Sequence, residues 1–452
     1  MKILLVANGY PPTAVGGVET YTAELALSLS GFGDQISVFC RESNFSKPDY
    51  GLSTENQGQI SITRVVNDHK RATSFRQTFI DPQIEEIFTR YILAEKPDLI
   101  HFNHLIGLSA RLPLIAAEQN IPAVITLHDF WPICHQVKLI DWQGRICPGP
   151  AYAVDCPTCA SGGSAQQDGA LIEKATRLVK RILPARVRRT IRSAMPEGEA
   201  LPPAMISSPE IFRERLDLFT RAVLAAQRIL VPSEYSRTEL GKNGLPRERI
   251  QVIPLGIAVQ ASRSPRESLS GSLTFATIGP IQPIKGTDIA IKAFSKVPGE
   301  QLRLNIYGRH DLFPRDHIKQ VLKLAQADPR VSILGPFDPR DRVSIFNAID
   351  VLIVPSPAPE TFSLAAHEAL AMGKPVLASR IGALPEIIQD GVNGFLFEPG
   401  NDTRLAEFIT LLASQPGILE KLSMPGTTPI LTSIEHAREI KNIYHQVVRS
   451  GG

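Results

Sequence analysis

The chain has 452 residues, of which 43% are hydrophobic and 21% are charged, close to the average of soluble globular proteins. This length predicts two or three domains, and this composition excludes a disordered or collagen-like chain. A formal net charge of only +3 gives no indication of nucleic-acid binding, so we expect no nucleic-acid partner.

The first part of the chain alternates strand and helix patterns. Residues 2–7 form a nearly continuous apolar run, which is typical of a strand buried on both faces of a parallel sheet. A glycine-containing loop over 8–17 leads into a helical pattern over 18–29. Further strands are predicted at 35–40, 60–66, 98–102, 123–127 and 228–231. We therefore predict an α/β fold with a parallel sheet covered on both faces.

A second series of strands follows, after an irregular stretch over about 131–218 that has the pattern of an insertion. These strands are predicted at 273–278, 302–307, 331–334, 351–354, 375–378 and 394–397. The predicted organisation is one Rossmann-like domain over 1–257, a second over 258–430, and a helix over 431–452 that can pack on either domain. The linker is predicted at about 258–270, where serine, arginine and proline accumulate.

The N-terminus does not have the pattern of a targeting segment. Its apolar run is too brief for a signal peptide, and no run in the chain approaches the roughly 18–20 apolar residues of a membrane span. We expect a cytoplasmic protein that begins at its native N-terminus.

A pair of glutamates follows the predicted strand over 351–354. The pattern predicts a helix that starts near Thr361, and the free N–H groups of such a helix end bind phosphate. Glu360 stands just before this start, and Glu368 lies eight positions further on, about 12 Å along a helix. This separation suits the sugar and the ribose of a sugar nucleotide, but it equally fits two solvated surface glutamates. Lys285, in the loop after the first strand of the second domain, provides a point charge suited to a diphosphate.

The order of these motifs resembles that of the family 4 glycosyltransferases, which are retaining enzymes of the GT-B fold. The match covers nearly the whole chain except about 141–219. It rests on the stretches Tyr10-Pro11-Pro12, Gly16-Gly17-Val18-Glu19, Val231-Pro232-Ser233, Lys285-Gly286, Glu360-Thr361-Phe362-Ser363 with Glu368, and Asp390-Gly391-Val392-Asn393-Gly394. The resemblance implies two Rossmann-like domains that face each other across a cleft, with the acceptor on the first and the nucleotide-sugar donor on the second.

The resemblance also implies roles for single residues. Glu360 would contact the donor sugar, Glu368 the ribose, and Lys285 the leaving diphosphate, while Gly17 would let the first loop approach that diphosphate. His128 would lie near the reacting carbon. The implied catalytic residues are thus Glu360, His128 and Lys285, and the implied donor-binding residues are Gly17, Lys285, Glu360, Thr361, Phe362, Ser363 and Glu368.

The implied reaction moves a sugar from a UDP- or GDP-type donor to a hydroxyl of a sugar or lipid-linked acceptor, in polysaccharide or glycolipid biosynthesis. No cofactor is required for it. Two positions depart from the family, which usually has Arg at Pro280 and Gly at Ser363. They motivate one alternative, a catalytically silent nucleotide-sugar-binding partner; the other alternative is a nucleotide-sugar epimerase of the same fold.

Four cysteines, at 134, 147, 156 and 159, fall within the predicted insertion. Only Cys156 and Cys159 have the tight spacing of a zinc knuckle. A structural zinc ion on Cys134, Cys147, Cys156 and Cys159, free or buried thiols, and redox disulfides all remain open.

A basic stretch and two histidines leave further alternatives. Residues 174–193 carry eight basic side chains and no acid, which indicates either a solvated helix or a contact with an anionic membrane surface. We therefore expect a cytoplasmic protein that can be peripheral on the inner membrane face. His101 and His104 either contact the acceptor or are satisfied within the fold.

Overall fold

The computed structural model describes residues 1–70, 72–152, 156–161, 209–258, 272–309, 315–422 and 430–450. They form two compact units. The first comprises the described residues up to Gly256 together with those from Ser433 onward, and the second runs from Ile257 to Thr432. The predicted linker and the basic stretch at 174–193 lie outside the described residues, apart from Ala258.

The first unit is built on a sheet of eight strands in its described part, in the order β3-β4-β2-β1-β5-β6-β7-β8. All neighbours are parallel except β3, which runs antiparallel to β4. The central strands are buried, as their continuous apolar runs require. The strands are β1 Lys2–Ala7, β2 Gln35–Glu42, β3 Leu52–Gln57, β4 Ile60–Val66, β5 Leu99–Phe102, β6 Ala123–Thr126, β7 Arg228–Val231 and β8 Ile250–Val252.

Some helices of the first unit begin at a side-chain cap. The Asp81 carboxylate, for example, accepts hydrogen bonds from the N–H groups of Gln83 and Ile84, and Pro82 occupies the first helical position. The helices before the second unit are α1 Gly17–Gly31, α2 Pro82–Glu95, α3 Leu112–Glu118, α4 Cys156–Ala160, α5 Glu210–Ala225 and α6 Glu234–Lys242.

The second unit has a six-stranded, wholly parallel sheet in the order β11-β10-β9-β12-β13-β14. Its strands are β9 Leu273–Ile278, β10 Leu302–Tyr307, β11 Val331–Gly335, β12 Val351–Val354, β13 Val376–Ser379 and β14 Gly394–Phe397. Its helices are α7 Thr287–Ser295, α8 Arg315–Gln326, α9 Arg342–Asn347, α10 Leu364–Ala371, α11 Leu384–Ile387, α12 Asp402–Ser414 and α13 Pro416–Leu422.

The C-terminal helix α14, Ser433–Ser450, packs on the first unit. The Tyr444 hydroxyl lies 2.6 Å from Nδ1 of His101, and the Tyr21 hydroxyl lies 3.0 Å from Nε2 of His436. All four of these side chains are buried. Of the two placements that the sequence left open, the structure thus shows the one on the first domain.

Two strands were not predicted from the sequence. Strand β3 reads Leu-Ser-Thr-Glu-Asn-Gln and is exposed along its whole length, so it has no apolar face to reveal it. Strand β8 has only three residues. No helix in the described residues combines the length and the apolar character that crossing a membrane requires.

Candidate functional site

Lys285 and Glu360 form an ion pair at the carboxyl edge of the second sheet. The Lys285 ammonium lies 2.7 Å from Oε1 of Glu360, and the Ser356 hydroxyl donates a 2.6 Å hydrogen bond to the same oxygen. The Glu360 side chain is 12% exposed and that of Lys285 is 33% exposed. Glu360 is therefore not the solvated surface glutamate of the simpler interpretation.

Two glycines allow the loops that carry Lys285 and Glu360 to pack closely against their neighbours. Gly286 has a φ of 66°, and a Cβ atom there would lie 2.1 Å from the backbone oxygen of Pro355. Gly382 has a φ of 61°, and a Cβ atom there would lie 2.3 Å from the backbone oxygen of Glu360, which accepts a hydrogen bond from the N–H of Ala383. Only glycine fits both the conformation and the space, so these residues fix the loop that carries Glu360.

The predicted helix start at Thr361 is wrong. Helix α10 begins at Leu364, because Ser363 adopts a left-handed conformation with φ 68° and ψ 80° that a right-handed helix cannot include. The free N–H groups of the first turn therefore belong to residues 364–366, and Thr361 and Phe362 lie in the preceding loop. Glu360 and Glu368 consequently do not share a helix, and the 12 Å spacing along one does not apply.

The loop before α10 is held by an aromatic contact. The rings of Phe362 and His367 stack with their centroids 3.6 Å apart, and Nδ1 of His367 lies 3.0 Å from the backbone oxygen of Ser363. Burial lowers the pKa of His367 to about 4. A neutral His367 therefore donates from Nδ1 to Ser363, so both residues act in the structure as supports of the helix start.

Glu368 lies on α10 and is paired with a cation that the sequence analysis did not single out. The guanidinium of Arg342 lies 2.9 Å from Oε1 of Glu368, and both side chains are largely buried. Arg342 is the first residue of α9, and no motif marks it, because the contact joins residues 26 positions apart that are brought together only by the fold.

Two arginines, Arg309 and Arg380, lie in loops of the second unit, where Pro280 takes the place of the usual second cation. Arg380 is paired with Asp390 at 3.1 Å and lies 4.0 Å from Glu398. The backbone oxygen of Arg309 accepts a hydrogen bond from the N–H of Ile281, which places Arg309 beside the loop that carries Lys285.

In the first unit, His128 follows the end of β6 and is buried. Its ring meets the ring of Tyr21 edge-on, with centroids 4.6 Å apart. Burial, with a smaller contribution from His104, lowers the pKa of His128 to about 3. The imidazole is therefore neutral near pH 7 and can offer a hydrogen bond, but not a positive charge.

His104 and Asp129 form a second buried pair beside His128. Nε2 of His104 lies 2.8 Å from Asp129, and Nδ1 of His104 accepts from the N–H of Ile106. Burial alone would lower the pKa of His104, but the Asp129 carboxylate outweighs it, and the pKa is raised. His101 bridges Tyr444 and Thr126 through its two ring nitrogens, so both histidines are satisfied within the fold.

Gly17 is the exposed first residue of α1, and its neighbour Gly16 explains part of the motif. A Cβ atom on Gly16 would lie 2.5 Å from the Glu19 carboxylate, which also accepts a 2.8 Å hydrogen bond from the Asn8 amide. Gly16 therefore makes room for Glu19 to fold back over the helix start. Gly17 is exposed, and its role toward a diphosphate stays a prediction.

The four clustered cysteines are free thiols, of which Cys134 is buried. Burial, with smaller contributions from the neighbouring thiols, raises the pKa of Cys156 to about 12 and that of Cys159 to about 11. The N–H of Gly149 donates to the Cys147 sulfur at 3.4 Å. Among the described residues, which include all four cysteines, no set of three or more His, Cys, Asp or Glu side chains is arranged to hold a metal ion. A structural zinc ion here stays a prediction.

Comparison with known proteins finds similarity to glycosyltransferases in both units. A family model described as Glycosyltransferase Family 4 matches residues 15–153, and one described as Glycosyl transferases group 1 matches residues 272–415. The D-inositol 3-phosphate glycosyltransferase of Nocardia farcinica is 30% identical over 261 residues, which is 54% of each chain. The enzyme of the same name from Mycolicibacterium smegmatis is 31% identical over 211 residues, 44% of this chain and 48% of that protein. The matched part thus spans about half the length of these curated relatives.

Solved structures of the same architecture match the chain over almost its whole length. Anabaena HepE in complex with UDP and glucose has a TM-score of 0.63 at 18% identity and covers 98% of this chain and 99% of its own. Sucrose-phosphate synthase from Thermosynechococcus elongatus has a TM-score of 0.65 at 18% identity, with 99% of both chains covered. The two parallel-sheet units therefore have the GT-B architecture. A Glycosyltransferase Family 4 match in the first unit and a Glycosyl transferases group 1 match in the second confirm the resemblance to family 4 glycosyltransferases that the sequence shows.

Proposed function

We propose that this protein is a retaining glycosyltransferase that moves a sugar from a UDP- or GDP-type nucleotide sugar to an acceptor hydroxyl. One observation carries the proposal: Lys285, Glu360 and Glu368 lie at the carboxyl edge of the second sheet, where ligands bind in open α/β sheets. Glu360 supports Lys285 until a diphosphate arrives, and the ammonium then pairs with the phosphates instead. Glu360 is left to accept hydrogen bonds from the donor sugar.

The chemistry follows from these charges. When the bond between the sugar and the diphosphate breaks, negative charge develops on the leaving oxygen, and a preorganised cation lowers the energy of that state. Lys285 supplies the cation, and the N–H groups at the start of α10 supply further donors. The resemblance implies a place near the reacting carbon for His128, whose neutral imidazole can offer a hydrogen bond there but no charge. The leaving phosphate takes the acceptor proton on the same face, so the anomeric configuration is retained.

Binding of nucleoside diphosphates tests the donor site. Calorimetric titration with UDP, GDP and the matching nucleosides is expected to give tighter binding of one diphosphate than of its nucleoside. Lys285→Ala should weaken the diphosphate about tenfold or more and leave the nucleoside nearly unchanged. Lys292→Ala is the matched control, because Lys292 is paired with Asp288 on α7 in the same unit. Equal losses for nucleoside and diphosphate in Lys285→Ala would remove the phosphate role of Lys285.

A catalytically silent nucleotide-sugar-binding protein is the second candidate. The observation in its favour is Pro280, which stands where the family usually has a second cation for the diphosphate. Such a protein binds the nucleotide sugar but does not release the nucleoside diphosphate from it. Product analysis distinguishes the epimerase alternative from both candidates, because an epimerase converts one nucleotide sugar into another without any acceptor.

We also propose that the acceptor belongs to polysaccharide or glycolipid biosynthesis and that the protein works at an anionic membrane surface. The support is the sequence of residues 174–193, since each cation near an anionic leaflet contributes about 1 kcal/mol. One solved structure of the same architecture, WaaG, is described as a glycosyltransferase involved in lipopolysaccharide biosynthesis; its TM-score is 0.56 at 16% identity.

Flotation with anionic liposomes at low salt tests this surface role. The wild-type chain should float and be released by salt, and the quadruple change of Arg181, Arg186, Arg188 and Arg189 to Gln should abolish flotation. Unchanged flotation of the quadruple variant would contradict the membrane role of this stretch.

A further inference from the structure

A buried ion pair joins two elements of the second unit. Arg342 begins α9, after a turn over Pro339–Asp341 that follows β11, and Glu368 lies within α10. The guanidinium approaches Oε1 of Glu368 to 2.9 Å, and the two side chains are only 14% and 7% exposed. The pair is therefore shielded from water, unlike the many exposed ion pairs on the surface of this unit.

Stabilisation of the fold does not by itself account for a buried ion pair. Removing two charges from water costs about as much free energy as their attraction returns, so a buried ion pair is weak evidence of stabilisation. Its clearest chemical effect is on protonation. A buried carboxyl group without a cation favours its neutral form, whereas the permanently charged guanidinium of an arginine holds a neighbouring carboxyl group ionised.

Ionisation decides what Glu368 can do. A carboxylate offers only acceptors and can accept hydrogen bonds from two neighbouring hydroxyls at once, as in the 2′,3′-diol of a ribose. A neutral carboxyl group carries a proton on one oxygen and loses part of that capacity. The guanidinium also fixes the orientation of the carboxylate, because one of its oxygens is held at hydrogen-bond distance.

We propose that Arg342 is a positioning residue for the nucleotide, which keeps Glu368 ionised and oriented so that it accepts hydrogen bonds from both hydroxyls of the ribose. This inference rests on the proposed function, in which Glu368 contacts the ribose. It adds a specificity-determining residue that acts through Glu368. Arg342 thereby contributes to selection of ribonucleotide donors over deoxy analogues.

The test compares UDP with 2′,3′-dideoxy-UDP by calorimetric titration, or GDP with its dideoxy analogue if the protein prefers GDP. The dideoxy analogue lacks both hydrogen bonds to the charged Glu368, so wild type should bind it at least about 100-fold more weakly. Arg342→Met should bind UDP more weakly and should lose most of this discrimination. Arg342→Gln keeps a hydrogen-bond donor but no charge, and it should likewise lose discrimination between the two nucleotides. It replaces Arg342→Met in the test if the Met variant does not fold.

Arg340→Met is the matched control. Arg340 lies two positions away and pairs with Asp338, but its side chain is 88% exposed, so its loss should leave the ratio of the two affinities unchanged. A purely structural role of Arg342 would change both affinities by the same factor.

The outcomes separate the inference from the proposed function. A folded Arg342→Met or Arg342→Gln variant that keeps the wild-type ratio overturns the role of Arg342 and leaves the donor site standing. Equal binding of both nucleotides by wild type overturns the ribose contact of Glu368, and this inference with it. Absence of any nucleoside diphosphate binding by wild type contradicts the proposed function itself.

Discussion

Glu360 is held by more of the fold than its motif indicates. Its backbone oxygen lies close to Gly382, where no larger residue would fit, and its carboxylate is held by Ser356 and Lys285. None of these partners is adjacent to it in the sequence. The carboxylate is thus in place before a ligand arrives, which is what positioning in catalysis requires.

Replacing Glu360 by Gln should lower turnover about tenfold or more and leave the affinity for nucleoside diphosphate within about twofold of wild type. The reason is that the carboxylate contacts the sugar, which the nucleoside diphosphate lacks. The measurement pairs initial rates of donor cleavage with calorimetric titration of UDP or GDP. Glu407→Gln is the control, because Glu407 lies on the surface of the same unit, paired with Arg404. A parallel loss of nucleotide affinity and turnover would show that Glu360 contacts the nucleotide instead.

The prediction of the site from the sequence depended on where one helix begins. Glu360, Glu368 and Lys285 all lie at one sheet edge, but the helix start at Thr361 was misplaced by three residues. The cause is Ser363, whose left-handed backbone is a state that serine rarely adopts and that the family usually assigns to glycine. Arg342 could not be predicted, because only the fold brings it to Glu368, which lies 26 positions further along the chain.

At the scale of elements, the C-terminal helix α14 is attached by buried histidine and tyrosine side chains. Burial lowers the pKa of His436 to about 4 and that of His101 well below its ordinary value. A histidine with a lowered folded pKa binds its proton more readily in the unfolded state. Its contribution to stability is therefore complete above about pH 6.5 and is lost as the pH falls toward 4. His104, whose pKa is raised, contributes in the opposite sense.

The change His436→Gln should therefore reduce the dependence of the free energy of unfolding on pH between about 6.5 and 4. The slope is measured by denaturant unfolding at several pH values in that range. His445→Gln is the matched control on the same helix, because His445 is exposed. An unchanged slope in His436→Gln would mean that His436 does not titrate with folding.

A structural zinc ion on the four clustered cysteines stays a prediction of the sequence analysis. Elemental analysis of the purified protein should find up to about one zinc per chain, and a chelator that removes it should lower the thermal stability of the first unit, as a closed site requires. Cys40, which is buried in β2, should stay unreactive to thiol reagents in the native protein and serves as the internal reference. Four readily titrated thiols and no zinc would contradict the prediction.

At the scale of the whole molecule, the alternation of strands and helices was sufficient to predict two parallel-sheet units. Seven strands have the predicted bounds, among them β1 and β12, because apolar runs of four to seven residues between turns leave few alternatives. The amphipathic pattern of α14 did not indicate which unit it packs on, and the structure shows it on the first. Long-range partners of this kind are set by tertiary packing and leave no local signal.

Incubation of the protein with a panel of UDP- and GDP-sugars, followed by detection of released nucleoside diphosphate and free sugar, tests the central claim most directly. We expect slow release from one donor without added acceptor, an about tenfold or larger decrease in Lys285→Ala, and no change in Lys292→Ala. Tight binding of a nucleotide sugar with no release, or its conversion into another nucleotide sugar, would contradict the assignment as a glycosyltransferase.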